Sequence, residues 1–300
     1  MGLRGLVFAL FCFAVQWAPA AAADFLPTQW APATAYGAVQ GIAEYLPISS
    51  SAHLLLAEKM LLARSAVAVP NGGSRDFALF LQFISILAVP LVYGKRVAQI
   101  RLGMLGRSTE GLHVIAMLLL AFLPTAAVGA LVVSFAGNWN MSAETVGWPL
   151  LAGGIYIILF ERFCRRRSAD RPLKSLRPME AIAVGSMQTF AILPGLSRSL
   201  MSLTACLAFG LQPSAAVEFS FLLGFCTIAA ATAHSVAGGA IVPTILAAPP
   251  SAICASAAAM ICAVPSLLFF RNWIERKSLI PFAYYRIFAG AAVLLYAVRH

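Results

Sequence analysis

Charge is what this chain has least of. Of its 300 residues only 11% are charged, and acids are scarcer than bases, 11 against 21. With 61% of the residues hydrophobic, the shortage of polar surface excludes a water-soluble fold of this size and leaves lipid as the solvent. The net charge of +10 does not mark a nucleic-acid partner, because the bases sit in short blocks between apolar runs, the pattern that orients a membrane protein. The six cysteines (Cys12, Cys164, Cys206, Cys226, Cys254, Cys262) lack paired metal-type spacing and read as small packing residues. Neither a P-loop nor a dinucleotide fingerprint is present, so phosphate recognition here does not imply a nucleotide.

What is present begins with a leader. Arg4, the apolar stretch Leu6 to Val15 and Ala-rich sequence before Asp24 read as a cleavable signal peptide over residues 1–23, with an uncleaved anchor as the competing reading. Six apolar segments, about 76–93, 112–135, 146–163, 214–237, 249–270 and 281–298, are long enough to cross a hydrocarbon layer of about 30 Å as helices. Two more, about 35–62 and 180–209, are apolar overall but interrupted at Pro47 and at Pro194-Gly195 by hydroxyls and charges. They predict re-entrant broken-helix hairpins. The expected fold is therefore an all-α polytopic membrane protein, one domain over 24–300, with six transmembrane helices and two hairpins.

The order, one broken segment and three spans, occurs twice, which predicts repeats over about 35–163 and 180–298. Leu46-Pro47 echoes Leu193-Pro194, and Phe77, Phe83 and Ala88 echo Phe219, Phe225 and Ala230. An odd number of spans per unit inverts the second unit, so the two hairpins enter from opposite faces and meet near the midplane. Charge agrees with this topology. The loops around 94–111, 162–180 and 271–279 carry Lys95, Arg96, Arg101, Arg107, Arg162, Arg165 to Arg167, Arg171, Lys174, Arg177, Arg271, Arg276 and Lys277, whereas 136–145 and 238–248 carry no Lys or Arg. The basic loops belong in the cytoplasm.

The chemistry concentrates in the broken segments. In QGIAEYLPISSSAH, Gln40 and Glu44 share a helix face, Pro47 ends that arm, and Ser49, Ser50 and Ser51 can cap a second arm whose free amides suit an anion. Ser50 and His53 share a face of the second arm. In PGLSRSLMS, Ser197 or Ser199 caps the next helix and Arg198 presents a forked donor suited to phosphate oxygens. An arginine between apolar runs needs a partner, and Glu44 is the natural one. Glu44 and Gln40 also offer oxygen ligands for a hard divalent cation. Gln82, Glu218 and Arg286 either reach this site or stabilise helix contacts, with the structural role favoured. His113 and His234 read as interfacial, and Glu58 with Lys59 as outer-surface residues.

These two motifs, with EFSFLLG at 218–224 and IPFAYYR at 280–286, resemble the bacterial undecaprenyl pyrophosphate phosphatases, the bacitracin-resistance protein family, over nearly all of the chain after the leader. The resemblance implies hydrolysis of a C55 polyprenyl diphosphate to the monophosphate carrier used in peptidoglycan and envelope synthesis. It implies a multi-pass protein of the bacterial inner membrane with its site open to the periplasm, lipid partners, and an arrangement compatible with a homodimer. Glu44 with Gln40 would bind Mg2+ or Ca2+ and the diphosphate, and Arg198 would neutralise phosphate charge. The serines Ser49, Ser51, Ser197, Ser199 and Ser202 would line the substrate. Three attacks stay open: Ser50 with His53 as base, His53 directly, or a water at the metal. Leu200 and Ala52 stand where the family usually has glycine, which raises an altered pocket or a silent relative. A polyprenyl-phosphate transporter is the competing function, since inverted repeats also build transporters.

Overall fold

A computed structural model of the chain describes residues 30–62, 75–135, 142–165 and 170–299. The leader over 1–23, Cys12, Arg166 and Arg167 lie outside the described residues, as does the side chain of Lys59. Helices α1 (Ala31–Tyr45) and α2 (Ser50–Leu62) form the first broken segment. Then come α3 (Arg75–Ile86), α4 (Ala88–Val92), α5 (Gly94–Met104), α6 (Thr109–Phe135) and α7 (Ala143–Leu159), which a π turn extends over Phe160–Cys164. The second broken segment is α8 (Pro178–Thr189) and α9 (Arg198–Ala208), followed by α10 (Pro213–Ala237), α11 (Ile241–Ala247), α12 (Pro249–Arg276) and α13 (Ile280–Arg299).

Among the described residues, six stretches are long and apolar enough to cross a membrane: Arg75–Val92, Thr109–Val132, Ala143–Cys164, Pro213–Ala237, Pro249–Arg276 and Ile280–Ala297. They fall on the six spans expected from hydropathy. Their outward faces carry large apolar side chains, Leu119, Leu123, Ile253, Ile261 and Phe288 among them, which is tolerable only against lipid. The protein is thus a multi-pass membrane protein. The arms of the broken segments are shorter, 15 and 13 residues in one and 12 and 11 in the other. At 1.5 Å per residue none of these arms spans about 30 Å alone.

Packing crosses between the halves of the chain. Helix α1 lies on α12, α8 on α6, α7 on α13 and α3 on α10. Without a hydrophobic drive between helices in lipid, close approach depends on small residues. Gly37 and Gly41 on α1 sit against the backbone of Ala255 and Ala259 on α12, and Gly185 on α8 sits against the backbone of Ala121 on α6. A Cβ at any of the three would overlap a carbonyl oxygen. Hydroxyls reinforce both seams: Ser266 Oγ donates to Ile42 O at 2.7 Å, and Thr125 Oγ1 to Gly185 O at 3.2 Å.

The basic loops are tied down by ion pairs. Arg96 bonds Glu218 and, at 2.7 Å, Glu110. Glu161 pairs with Arg165 at 2.6 Å and accepts from Leu279 N at 2.6 Å. Arg171 grips Glu180 through both terminal guanidinium nitrogens at 2.9 Å and reaches Phe209 O at 2.7 Å. The Arg171 guanidinium holds the Glu180 carboxyl below its usual range. Glu218, in the second turn of α10, is therefore a structural partner of Arg96 and takes no part in the polar cluster described next.

Candidate active site

Both broken segments turn in the same way. After α1 the chain leaves the helix at Leu46, passes Pro47, and enters α2 through Ser49, whose φ is +73°. After α8 it passes Pro194 and Gly195 and enters α9 through Ser197, whose φ is +71°. Left-handed backbone on a residue with a Cβ costs roughly 1–2 kcal/mol and persists only where its surroundings require it. Here each serine closes the first turn of the next helix: Ser49 O accepts from His53 N at 3.3 Å, and Ser197 O accepts from Met201 N at 3.2 Å. Each hydroxyl also meets a second serine two residues on, Ser49 with Ser51 and Ser197 with Ser199, both at 3.1 Å. Ser50 and Arg198 consequently hold the same place, the first residue of the second arm.

The two turns bring one connected cluster together. Glu44 Oε2 accepts from Gln40 Nε2 at 2.6 Å and from Ser50 Oγ at 2.9 Å. Its other oxygen faces Arg198 Nη2 at 3.6 Å, and the same nitrogen donates to Gln82 Oε1 at 2.5 Å. The Glu44 side chain is nearly buried, at 8% exposure, and that of Arg198 retains 26%, so the cluster opens on the arginine side. Gln82, for which a structural role was favoured, belongs to the site, and it sits near the middle of the span Arg75–Val92.

His53 is placed differently from expectation. Its Nδ1 donates to Ser49 O at 2.7 Å, because a carbonyl can only accept, and Nε2 meets the Tyr285 hydroxyl at 2.5 Å with the two rings stacked. Both ring nitrogens are engaged away from Ser50, whose proton points at Glu44 instead. Ser202 is fully buried behind Arg198, donating to Arg198 O at 2.9 Å and meeting Ser220 Oγ at 2.6 Å. It braces the first turn of α9. Leu200 and Ala52, the two departures from glycine, are fully buried in apolar clusters of the core.

Arg286 is the residue whose position the sequence least revealed. It is fully buried and donates through Nη1 to Pro47 O at 3.1 Å and through Nη2 to Gly195 O at 2.7 Å. The signal available was a lone arginine in an apolar run, which in lipid must find acceptors. With two arginines to one carboxylate the region carries excess positive charge, the balance that an anionic ligand requires.

A divalent cation would find two oxygen donors here. Gln40 Oε1 is buried and has no partner among the described residues, and it neighbours the Glu44 carboxylate. Among the described residues no cluster of three or more His, Cys, Asp or Glu side chains could hold a metal ion. One carboxylate and one amide fit a hard cation that takes its remaining ligands from phosphate and water, as Mg2+ commonly does.

The fold and the cluster define a polytopic helical membrane protein with a cationic, hydroxyl-bearing site at the junction of two broken helices. Comparison with known proteins narrows this. The chain belongs to the family described as bacitracin resistance protein BacA, whose model matches residues 33–292. An undecaprenyl-diphosphatase of Sphingopyxis alaskensis is 32% identical over 260 residues, covering 87% of this chain and 95% of the relative. One from Sorangium cellulosum is 32% identical over 277 residues, covering 88% and 85%. One from Neisseria meningitidis is 30% identical over 273 residues, covering 86% and 92%.

Proposed function

We propose that the chain hydrolyses undecaprenyl diphosphate to undecaprenyl phosphate and inorganic phosphate, returning the lipid carrier to envelope synthesis and supporting bacitracin resistance. The observation that carries this is Ser50 Oγ donating at 2.9 Å to a carboxylate that faces Arg198. Transport requires binding groups, whereas a hydroxyl poised on a buried base is equipment for bond cleavage. Ser50 Oγ attacks the terminal phosphorus and its proton passes to Glu44, which gives it to the departing lipid phosphate as the bridging P–O bond breaks. Water then attacks the phosphoserine, Glu44 takes its proton, and inorganic phosphate leaves as Ser50 is reprotonated. Arg198, held by Gln82, stabilises the charge on the transferring phosphoryl group. His53 orients the second arm through Ser49 O and Tyr285 instead of serving as base. Gln40 and Glu44 are the residues that would hold Mg2+ or Ca2+, and such a cation would neutralise charge on the diphosphate.

The two broken segments act as re-entrant hairpins of an inverted repeat. Support comes from their matching serine turns and from the exchange of first arms, α1 onto α12 and α8 onto α6. The basic loops face the cytoplasm of the inner membrane, and the site opens to the periplasm. The same exchange favours a second reading, a carrier that moves polyprenyl phosphate, because inverted repeats with broken helices are also transporter architecture.

Purified protein in detergent should release phosphate from undecaprenyl diphosphate with magnesium or calcium present and stop when the metal is chelated. Ser50→Ala and Glu44→Ala should each slow release about 10³-fold or more. Absence of release by the wild type, with carrier movement in vesicles indifferent to Glu44→Ala, would move the reading to transport.

A further inference from the structure

Resting on the hydrolase reading, we infer that Arg286 is a positioning residue that locks the two halves of the active site together without touching substrate. The two turns come from distant parts of the chain, and one guanidinium on α13 holds both. Nη1 donates to Pro47 O at 3.1 Å, and Nη2 donates to Gly195 O at 2.7 Å and to Pro149 O of α7 at 3.4 Å. Its acceptors are backbone carbonyls of the breaks and of α7, and no carboxylate pairs with it among the described residues. A fully buried arginine spent on carbonyls is there for geometry.

The carbonyls need it. A proline break interrupts the ladder that would otherwise satisfy Pro47 O and Gly195 O, and away from water each requires a donor. Arginine supplies two divergent N–H groups from one rigid plane, which fixes the separation and the relative angle of the two turns. Pro47 lies three residues from both Glu44 and Ser50, and Gly195 lies three from Arg198, so the fork sets the base on which all three site residues stand. Helix α7 is cut to admit it: Gly153 lies against the guanidinium, and a Cβ there would overlap Nη2. The neighbouring Tyr285 meets His53 of the second arm, so consecutive residues of α13 hold both the first turn and the helix that follows it.

The test compares three variants. Arg286→Lys keeps the charge and loses the fork; Arg286→Ala loses both; Gly153→Ala keeps the arginine and pushes it off its acceptors. With helicity and thermal unfolding in detergent close to wild type, each should lower kcat about 10²-fold, the cost of misplacing reacting groups by about 1 Å, while KM changes little. Guanidinium at tens of millimolar should restore Arg286→Ala at least several-fold, and ammonium should not. A readout free of turnover accompanies this, in a background without native cysteines. Spin labels at Leu56→Cys and Leu193→Cys, one per segment, should give one narrow distance distribution that broadens in Arg286→Ala. Turnover within threefold of wild type, a loss confined to KM, or an unchanged distance distribution overturns the inference. Absence of phosphate release by the wild type instead overturns the hydrolase reading, and the spin-label distances still decide the role of Arg286.

Discussion

Arg198 uses one nitrogen for two neighbours, and they are unequal. The contact to Glu44, at 3.6 Å, is a charge pair too long for a hydrogen bond, whereas Gln82 accepts at 2.5 Å. The amide therefore aims the guanidinium, while the carboxylate supplies charge and, in the proposed mechanism, receives the Ser50 proton. In the proposed mechanism the guanidinium is the main stabiliser of the transferring phosphoryl group, so Arg198→Ala should cost about 10²–10³-fold or more in kcat. Removing Gln82 leaves the charge in place with one hydrogen bond fewer, and Gln82→Ala should cost about tenfold. Steady-state phosphate release from both variants checks the order, and equal losses would mean that Gln82 itself contacts the reacting phosphate. Of this cluster, Gln40, Glu44, Ser50 and Arg198 are legible in the sequence because each is polar in an apolar run that a proline interrupts. Gln82 is not, since a lone glutamine in a span is as often a helix-packing residue, and only the fold brings it to Arg198.

The repeated element is a helix, a proline break, and a second helix entered through a serine in the left-handed region. Pro47 and Pro194-Gly195 announce the break, because proline removes a donor and glycine accepts the turn. The positive φ at Ser49 and Ser197 is hidden, since serine rarely adopts it and its cap role is compatible with ordinary extended backbone. A reversal of the usual helix-propensity order should follow. Alanine at Ser49 or Ser197 keeps the strain and loses the hydroxyl, whereas glycine loses the hydroxyl and relieves the strain. Ser197→Gly should thus unfold above Ser197→Ala in a detergent melt, by about 1 kcal/mol, and the same should hold at Ser49. Alanine equal to or above glycine would show that the turn relaxes to another backbone without cost. The seams that hold these elements were not read from the sequence: Gly37 and Gly41 have the Gly-x-x-x-Gly spacing of a close helix contact, but nothing in it names Ala255 and Ala259 as the partner surface.

At the scale of the molecule, the six spans follow from hydropathy alone, because lipid demands about 20 apolar residues of each crossing helix. Which spans touch does not follow, since helix faces that meet lipid and those that meet each other are alike in polarity. The orientation rests on charge, and the folded chain offers two well-placed reporters. Cys164 is exposed in the π turn after α7, one residue from Arg165 and beside the tethered basic loops. Glu144 is exposed at the opposite end of the same span. A membrane-impermeant reagent does not reach thiols set among the helices within the bilayer, so these two sites dominate labelling. With the basic loops in the cytoplasm, a membrane-impermeant maleimide applied to intact spheroplasts should label Glu144→Cys and spare the native Cys164 until the membrane is opened. The opposite order would invert the protein, turn the exposed side of Arg198 toward the cytoplasm, and require a substrate delivered from within the cell.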